Sequence, residues 1–284
     1  MATKDDENRL NAAAEVTDLS APERREVARQ SRPSAALIHE TIRAEGQSEL
    51  DRAASALLLS GLAAGLSMGL SLLVQGFLHA GLPAAPWRDL VVGWGYTVGF
   101  LVVVLGRQQL FTENTITPVL PLLHERSTQA LWRLLRLWAL VLVANIAGTW
   151  LVAAALAHGE IAPPEVRAAF QEISRHALGH SFWATAARGV AAGWIIALMV
   201  WLLPGADGQR LIVVLLMTYV VALADLAHVI AGSVDAFYLV QTGAADYGDY
   251  LVRFFAPTLL GNLVGGVTLV AVLNFGQVAP ELSD

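Results

Sequence analysis

Two polar stretches interrupt an otherwise apolar sequence, and they carry the side chains able to do chemistry. Residues 106–121 read GRQQLFTENTITPVLP, with Arg107, Gln108, Gln109, Thr112, Glu113, Asn114 and Thr115 ahead of Pro118. Residues 224–235 read ADLAHVIAGSVD and hold Asp225, His228 and Asp235. His228 is the one side chain of its stretch that exchanges a proton near neutral pH. Thr112 offers a hydroxyl that donates or accepts. Inside a membrane such groups are costly and mark pathways, and irregular backbone is tolerated only where protein buries it or it lines a wet cavity.

The chemistry these residues imply is the handling of a small ion. Helices restarting near Thr115 and near Ser233 would leave unsatisfied N–H groups and positive dipole ends at mid-membrane, which favour a small anion. An anion in hydrocarbon carries a heavy desolvation cost, removed if His228 or its water network hands over a proton and the species crosses as the neutral acid. Asn114 joins Thr112 as a candidate lining residue, and Phe100, Leu110 and Val221 are candidates for dry constrictions beside the site. Glu113, Asp225 and Asp235 act the other way, since carboxylates near a pore attract cations unless neutralised. Arg107 is expected to pair with Glu113 across the loop, which would make that pair structural. His176 and His180 have i, i+4 spacing but no third ligand beside them, so no metal or other cofactor is expected.

The elements that must position these groups are membrane spans. Of the 284 residues 55% are hydrophobic and 15% charged, and the mean hydropathy is +0.54, outside the range of soluble domains. Apolar segments of crossing length fall at 53–80, 88–122, 130–157, 182–203, 210–241 and 250–275, about 20 residues sufficing for about 30 Å of hydrocarbon. The second and fifth are too long for one straight crossing and contain the two polar interruptions. This leaves a polar arm at 1–52, a six-span domain at 53–276 and a short tail at 277–284. Leu37, Ile38, Ile42 and a Ser-x-Pro opening at Ser20 suggest short amphipathic helices on the membrane surface. There is no cysteine for disulfides or thiolate sites, and the start lacks a secretory signal. The arm, Arg126, Arg133, Arg136 and Arg210 fall on one side, which places both termini in the cytoplasm.

The chain also repeats itself. SGLAAGLSM in the first span answers RGVAAGWII in the fourth, and ANIAGTWLVAAAL in the third answers GNLVGGVTLVAVL in the sixth. Small residues at this spacing let helices approach closely. With three spans per half the copies insert in opposite orientations, each with an interrupted middle span, a pattern that points to a substrate site at the bilayer midplane.

LFTENTITPVL after a glycine-rich span resembles the Leu-Phe-Thr motif of the formate/nitrite transporter family. His228 falls where that family keeps its central pore histidine, and Asn145 and Asn262 lie in its Asn-x-x-Gly motifs. The wording GRQQLFTENTIT and AHVIAGSVDAFYLV is similar to the YfdC-like branch. The resemblance implies an aquaporin-like fold, a homopentamer with one pore per subunit, a bacterial-type inner membrane, and a small ion or weak acid as substrate. Arg107, Asp225, Asp235, Asn145 and Asn262 then support the broken helices. The chain departs from the family at Ala227, commonly Glu, at Gly232 and Gly193, where Asn is expected, and near SRHALGHSF, where no Lys stands.

The leading expectation is a channel or transporter for a small monovalent anion or its weak acid, such as formate, nitrite or hydrosulfide. The added acids support a pore for ammonium, ammonia or water as the alternative, and a non-conducting membrane scaffold is the third. With no phosphate loop, no nucleophile beside a base and no metal cluster, an enzyme is not expected, nor is a nucleic-acid partner.

Overall fold

The computed structural model describes residues 20, 22–23, 33–206, 208–272 and 276–277. The helix expected from Ser20 runs into residues that lie outside those described, as does most of the tail. The described chain is helical: α1 (Ala35–Leu50), α2 (Ala54–Gly81), α3 (Arg88–Leu105), α4 (Val119–Glu125), α5 (Thr128–His158), α6 (Pro164–Ser174), α7 (Phe182–Leu202), α8 (Arg210–Leu223), α9 (Ala231–Gln241), α10 (Tyr247–Asp249) and α11 (Ala256–Leu263). The last two belong to one rod, with π-helical turns at Tyr250–Phe255 and Val264–Val272.

Among the described residues five helical runs are long and apolar enough to cross a membrane, and α8 is a shorter apolar helix of 14 residues. At 1.5 Å per residue α8 reaches only about 21 Å, so α9 must complete that crossing. Large apolar side chains such as Leu59, Trp132, Val143 and Trp183 stand exposed on the outer surface, as a lipid-facing surface requires.

The two halves pack by the same device. A Cβ on Gly65 of α2 would sit 2.2 Å from the Asn145 carbonyl oxygen on α5, and one on Gly193 of α7 would sit 2.4 Å from that of Asn262 on α11. Neither position accepts a side chain while the helices keep this spacing. Gly193, read from the sequence as a missing polar group, is a close-approach position. Gly65→Val is expected to force α2 from α5 and cost about 1–3 kcal/mol, the usual range for overpacking. Thermal unfolding of the purified protein tests this; an unchanged midpoint would show that the crossing is looser than it looks.

Helix α1 corrects an expectation. Ser34 Oγ accepts from the Leu37 N–H at 3.1 Å and caps it, but its apolar stripe does not face the membrane surface. Ile42 is fully buried and Leu50 is 2% exposed, because α1 docks on α4, α5 and α7 of its own chain. Its charged side chains Glu45 and Glu49 are thereby carried to the first polar break.

Candidate functional site

Each broken span ends in the same backbone figure. After α3, the Gly106 N–H donates to the Val102 carbonyl at 2.9 Å and the Gln108 N–H to that of Val103 at 2.9 Å. After α8, the Ala224 N–H donates to Val220 at 3.0 Å and the Leu226 N–H to Val221 at 2.9 Å. Between each pair lies a left-handed residue, Arg107 with φ 51° and Asp225 with φ 48°. A non-glycine residue there costs of order 1–3 kcal/mol and persists only where its surroundings dictate it.

Two buried asparagines supply those surroundings. Asn145 Oδ1 accepts from the Phe111 N–H at 2.9 Å, and its Nδ2 donates to the carbonyls of Gly61 and Gln109, both at 2.8 Å. Asn262 Oδ1 accepts from the Val229 N–H at 2.8 Å, and its Nδ2 donates to Gly189 at 2.9 Å and Ala227 at 2.8 Å. Bond for bond the two breaks are copies. Ala227 therefore contributes its carbonyl, and Gly232 leaves room for the Phe254 ring, which a Cβ would meet at 2.5 Å. Counted from the asparagine bonds, His228 and Leu110 occupy equivalent positions. α4 and α9 restart at Val119 and Ala231, with a 3₁₀ turn over Glu113–Thr115 preceding the first.

The breaks meet at Thr112 and His228. Thr112 Oγ1 lies 2.7 Å from His228 Nε2, and the Ala231 N–H donates to His228 Nδ1 at 3.1 Å. Because Nδ1 accepts, the neutral ring carries its proton on Nε2 and donates it to Thr112, whose own hydroxyl proton is left for a third group. Both residues are 1% exposed. The Phe100 ring stands edge-on to the imidazole at 4.9 Å between centroids and 79°.

A cavity approaches from either end. One, of about 390 Å³, is lined by His228, Val221, Ala227, Asp225, Asp235 and Arg188, and opens past His79, His176 and His180. The other, of about 220 Å³, is lined by Arg107, Gln109, Glu113, Asn114, Glu45 and Arg210. Thr112, Leu110 and Phe100 border neither, so this apolar layer with one hydroxyl separates the two. Val221 lines the first cavity and is not part of that layer.

The expected Arg107–Glu113 pair does not form. The left-handed turn sends Arg107, 70% exposed, to Glu45 Oε1 at 3.4 Å. Glu113 faces inward from its 3₁₀ turn, and its Oε1 is buried without a hydrogen-bond partner. Asn114 Nδ2 donates to Gln109 Oε1 at 3.0 Å, Gln109 Nε2 donates to Glu49 Oε2 at 2.7 Å, and the Asn114 carbonyl accepts from Trp138 Nε1 at 2.7 Å. Asp225 bonds Arg188, a residue the sequence reading passed over. Asp235 lines the first cavity and has no ion pair among the described residues. With no cation bonded to Glu113 among the described residues, Glu113→Gln is expected to leave the thermal midpoint unchanged or raised, since it replaces an unpaired buried carboxyl by an amide that carries no charge, and to speed anion flux. Slower flux in a less stable protein would instead mark Glu113 as a structural brace.

Comparison with known proteins follows the same lines. The family model described as formate/nitrite transporter matches residues 36–276. The chain is 42% identical over 253 residues to the inner membrane protein YfdC of Escherichia coli K12, covering 89% of this chain and 82% of that one. It is 24% identical to a formate channel, BtFdhC, of Bacillus thuringiensis, covering 87% and 96%. Among solved structures it is similar to a pentameric formate channel with formate bound, with a TM-score of 0.65 at 21% identity covering 80% of this chain and 98% of that one. An ion channel of the same family gives a TM-score of 0.69 at 15% identity, covering 84% and 98%.

Proposed function

We propose that this chain, which belongs to the formate/nitrite transporter family, conducts a small monovalent anion such as formate or nitrite, or its conjugate weak acid, past Thr112 and His228. The observation that carries this reading is the Thr112–His228 contact, closed off between two polar cavities. An anion that reaches the apolar layer meets the Thr112 hydroxyl proton, oriented because His228 Nε2–H donates to the same oxygen. The carboxylates along both approaches oppose full charge, so neutralisation in the layer lowers the barrier.

Proton exchange runs through the ring. His228 lines the first cavity, so hydronium there gives a proton to Nδ1, Nε2 passes its proton to Thr112 Oγ1, and Thr112 passes its hydroxyl proton to the anion. The anion leaves as the neutral acid, and the ring is left neutral with its proton on Nδ1. The ring regains its resting tautomer by exchange with water of the first cavity, Nε2 taking a proton from hydronium and Nδ1 giving its own to water, after which Nδ1 again accepts from the Ala231 N–H.

The remaining assignments follow from the same reading. The Glu113 cavity, next to α1 and Arg210, faces the cytoplasm, and the His228 cavity faces outward across a bacterial-type inner membrane. Residues 1–52 form a cytoplasmic arm and 53–276 the conducting domain. The functional unit is a homopentamer with one pore per subunit. Glu113, Glu45 and Glu49 at one approach favour a second reading, a pore for ammonium or ammonia.

The test is reconstitution into liposomes holding a pH dye. External formate is expected to acidify the interior within seconds. No response to formate followed by fast alkalinisation on adding ammonium would replace this reading with the second. Silence with both would leave a scaffold.

A further inference from the structure

The His228 cavity contains a charge cluster that conduction through Thr112 does not use. Arg188, on α7, donates from Nε to the Asp225 carbonyl at 2.8 Å and from Nη2 to the Ala224 carbonyl at 3.5 Å, and it also bonds the Asp225 carboxylate. Asp225 Oδ2 is shared. His180 Nε2 lies 3.3 Å from it and His176 Nδ1 3.9 Å. The backbone bonds anchor the guanidinium at the exposed end of the break, while the carboxylate neutralises it.

We propose that this cavity holds a pH-dependent capture site for a small monovalent oxyanion, in which Arg188 contacts the anion and protonation of His176 and His180 releases Arg188 from Asp225. The proposal rests on the anion reading above. Its ligand class follows from the guanidinium, whose planar fork matches a pair of carboxylate or nitrite oxygens.

Every charged group around the cluster bears on the sign of the field. From α2 comes His79, whose Nε2 lies 3.2 Å from Glu172 Oε2 of α6; Arg88 of α3 holds the other oxygen of Glu172 at 3.7 Å. Asp89 also comes from α3 and Asp235 from α9. Arg253 is turned away to the Leu178 carbonyl and to Asp249. With the histidines neutral, two arginines face four carboxylates and the cavity repels anions. With His79, His176 and His180 charged, five cations face the same four carboxylates, and the sign reverses. The Asp225 carboxylate beside it holds the His176 ring above the ordinary imidazole range, against the opposing effect of burial. That ring therefore charges at a higher pH than a free histidine, and the site fills as pH falls.

Nitrate is the probe, because its charge is fixed across the range. Calorimetric titration of the full-length protein in nanodiscs at about pH 8 and about pH 5.5 is expected to give binding at least about fivefold tighter at the lower pH. H176Q/H180Q is expected to lose most of that difference, with only the His79 contribution left, D225N to bind more tightly than the wild type at the higher pH, and R188Q to bind at neither. Equal wild-type affinity at the two pH values, no binding at either, or a pH dependence undiminished in H176Q/H180Q would overturn the proposal. Because binding is read without flux, pH-switched nitrate binding in a protein silent to formate would leave the site standing and remove only the transport reading.

Discussion

Asn262→Leu is expected to abolish transport and to lower the stability of the protein more than any other single polar substitution in the second half. The side chain makes three hydrogen bonds at once, to the Val229 N–H and to the Gly189 and Ala227 carbonyls. Leucine has the same branched arrangement of heavy atoms but is bulkier and satisfies none of them. Each group orphaned out of reach of water costs about 1–3 kcal/mol, so the loss is several kcal/mol. The geometry suffers with the stability. Val229 and Ala227 flank His228, and without their anchor the imidazole is no longer held against Thr112. Asn145→Leu is expected to cost about as much, since it orphans the Phe111 N–H and the Gly61 and Gln109 carbonyls. Thermal unfolding and gel filtration of both variants provide the measurement. A folded Asn262→Leu variant with the wild-type midpoint would mean that water reaches the break.

His228→Ala is expected to leave the assembly intact and slow formate-driven acidification at least about tenfold, equivalent to about 1.4 kcal/mol of barrier. The substitution removes the Nε2–H that orients the Thr112 hydroxyl and the acceptor for the Ala231 N–H. Thr112→Val keeps the imidazole and removes the hydroxyl, so it should be slowed comparably, whereas Thr112→Ser should stay near the wild-type rate. The two defects belong to one relay and should not multiply in the double variant. Stopped-flow dye records from five liposome preparations, the wild type and the four variants, decide the matter: normal flux in Thr112→Val would remove the hydroxyl from the path, and full multiplication would separate the two residues.

Several of these residues were legible in the sequence for physical reasons. A histidine and a threonine inside apolar spans stand out because hydrocarbon penalises them, and the structure brings that pair to 2.7 Å. The two Asn-x-x-Gly runs stand out because backbone freed by a broken helix must find partners. The ion pairing was not legible. Arg107 and Glu113 are six residues apart and opposite in charge, but Arg107 is itself left-handed just past the helix end, which turns it outward to Glu45. Backbone handedness of that kind has no signature when the residue is arginine. Gly193 and Gly232 were read as lost polar groups when each is a contact too close for a side chain. Arg188 carries a sequence signal of its own, an arginine near the start of an apolar span, which hydrocarbon penalises.

The equivalence of Leu110 and His228 reaches beyond the site. A chain that folds two copies of one unit head to tail has a pseudo-twofold axis, and the asparagine braces at the two breaks obey it. The titratable ring does not. A solute arriving from one face meets imidazole, while its mirror-image path from the other meets an isobutyl group. A duplicated scaffold with unduplicated chemistry has a built-in direction, so influx and efflux under equal and opposite gradients should differ in rate. Leu110→His, by restoring the symmetry, should draw the two rates together.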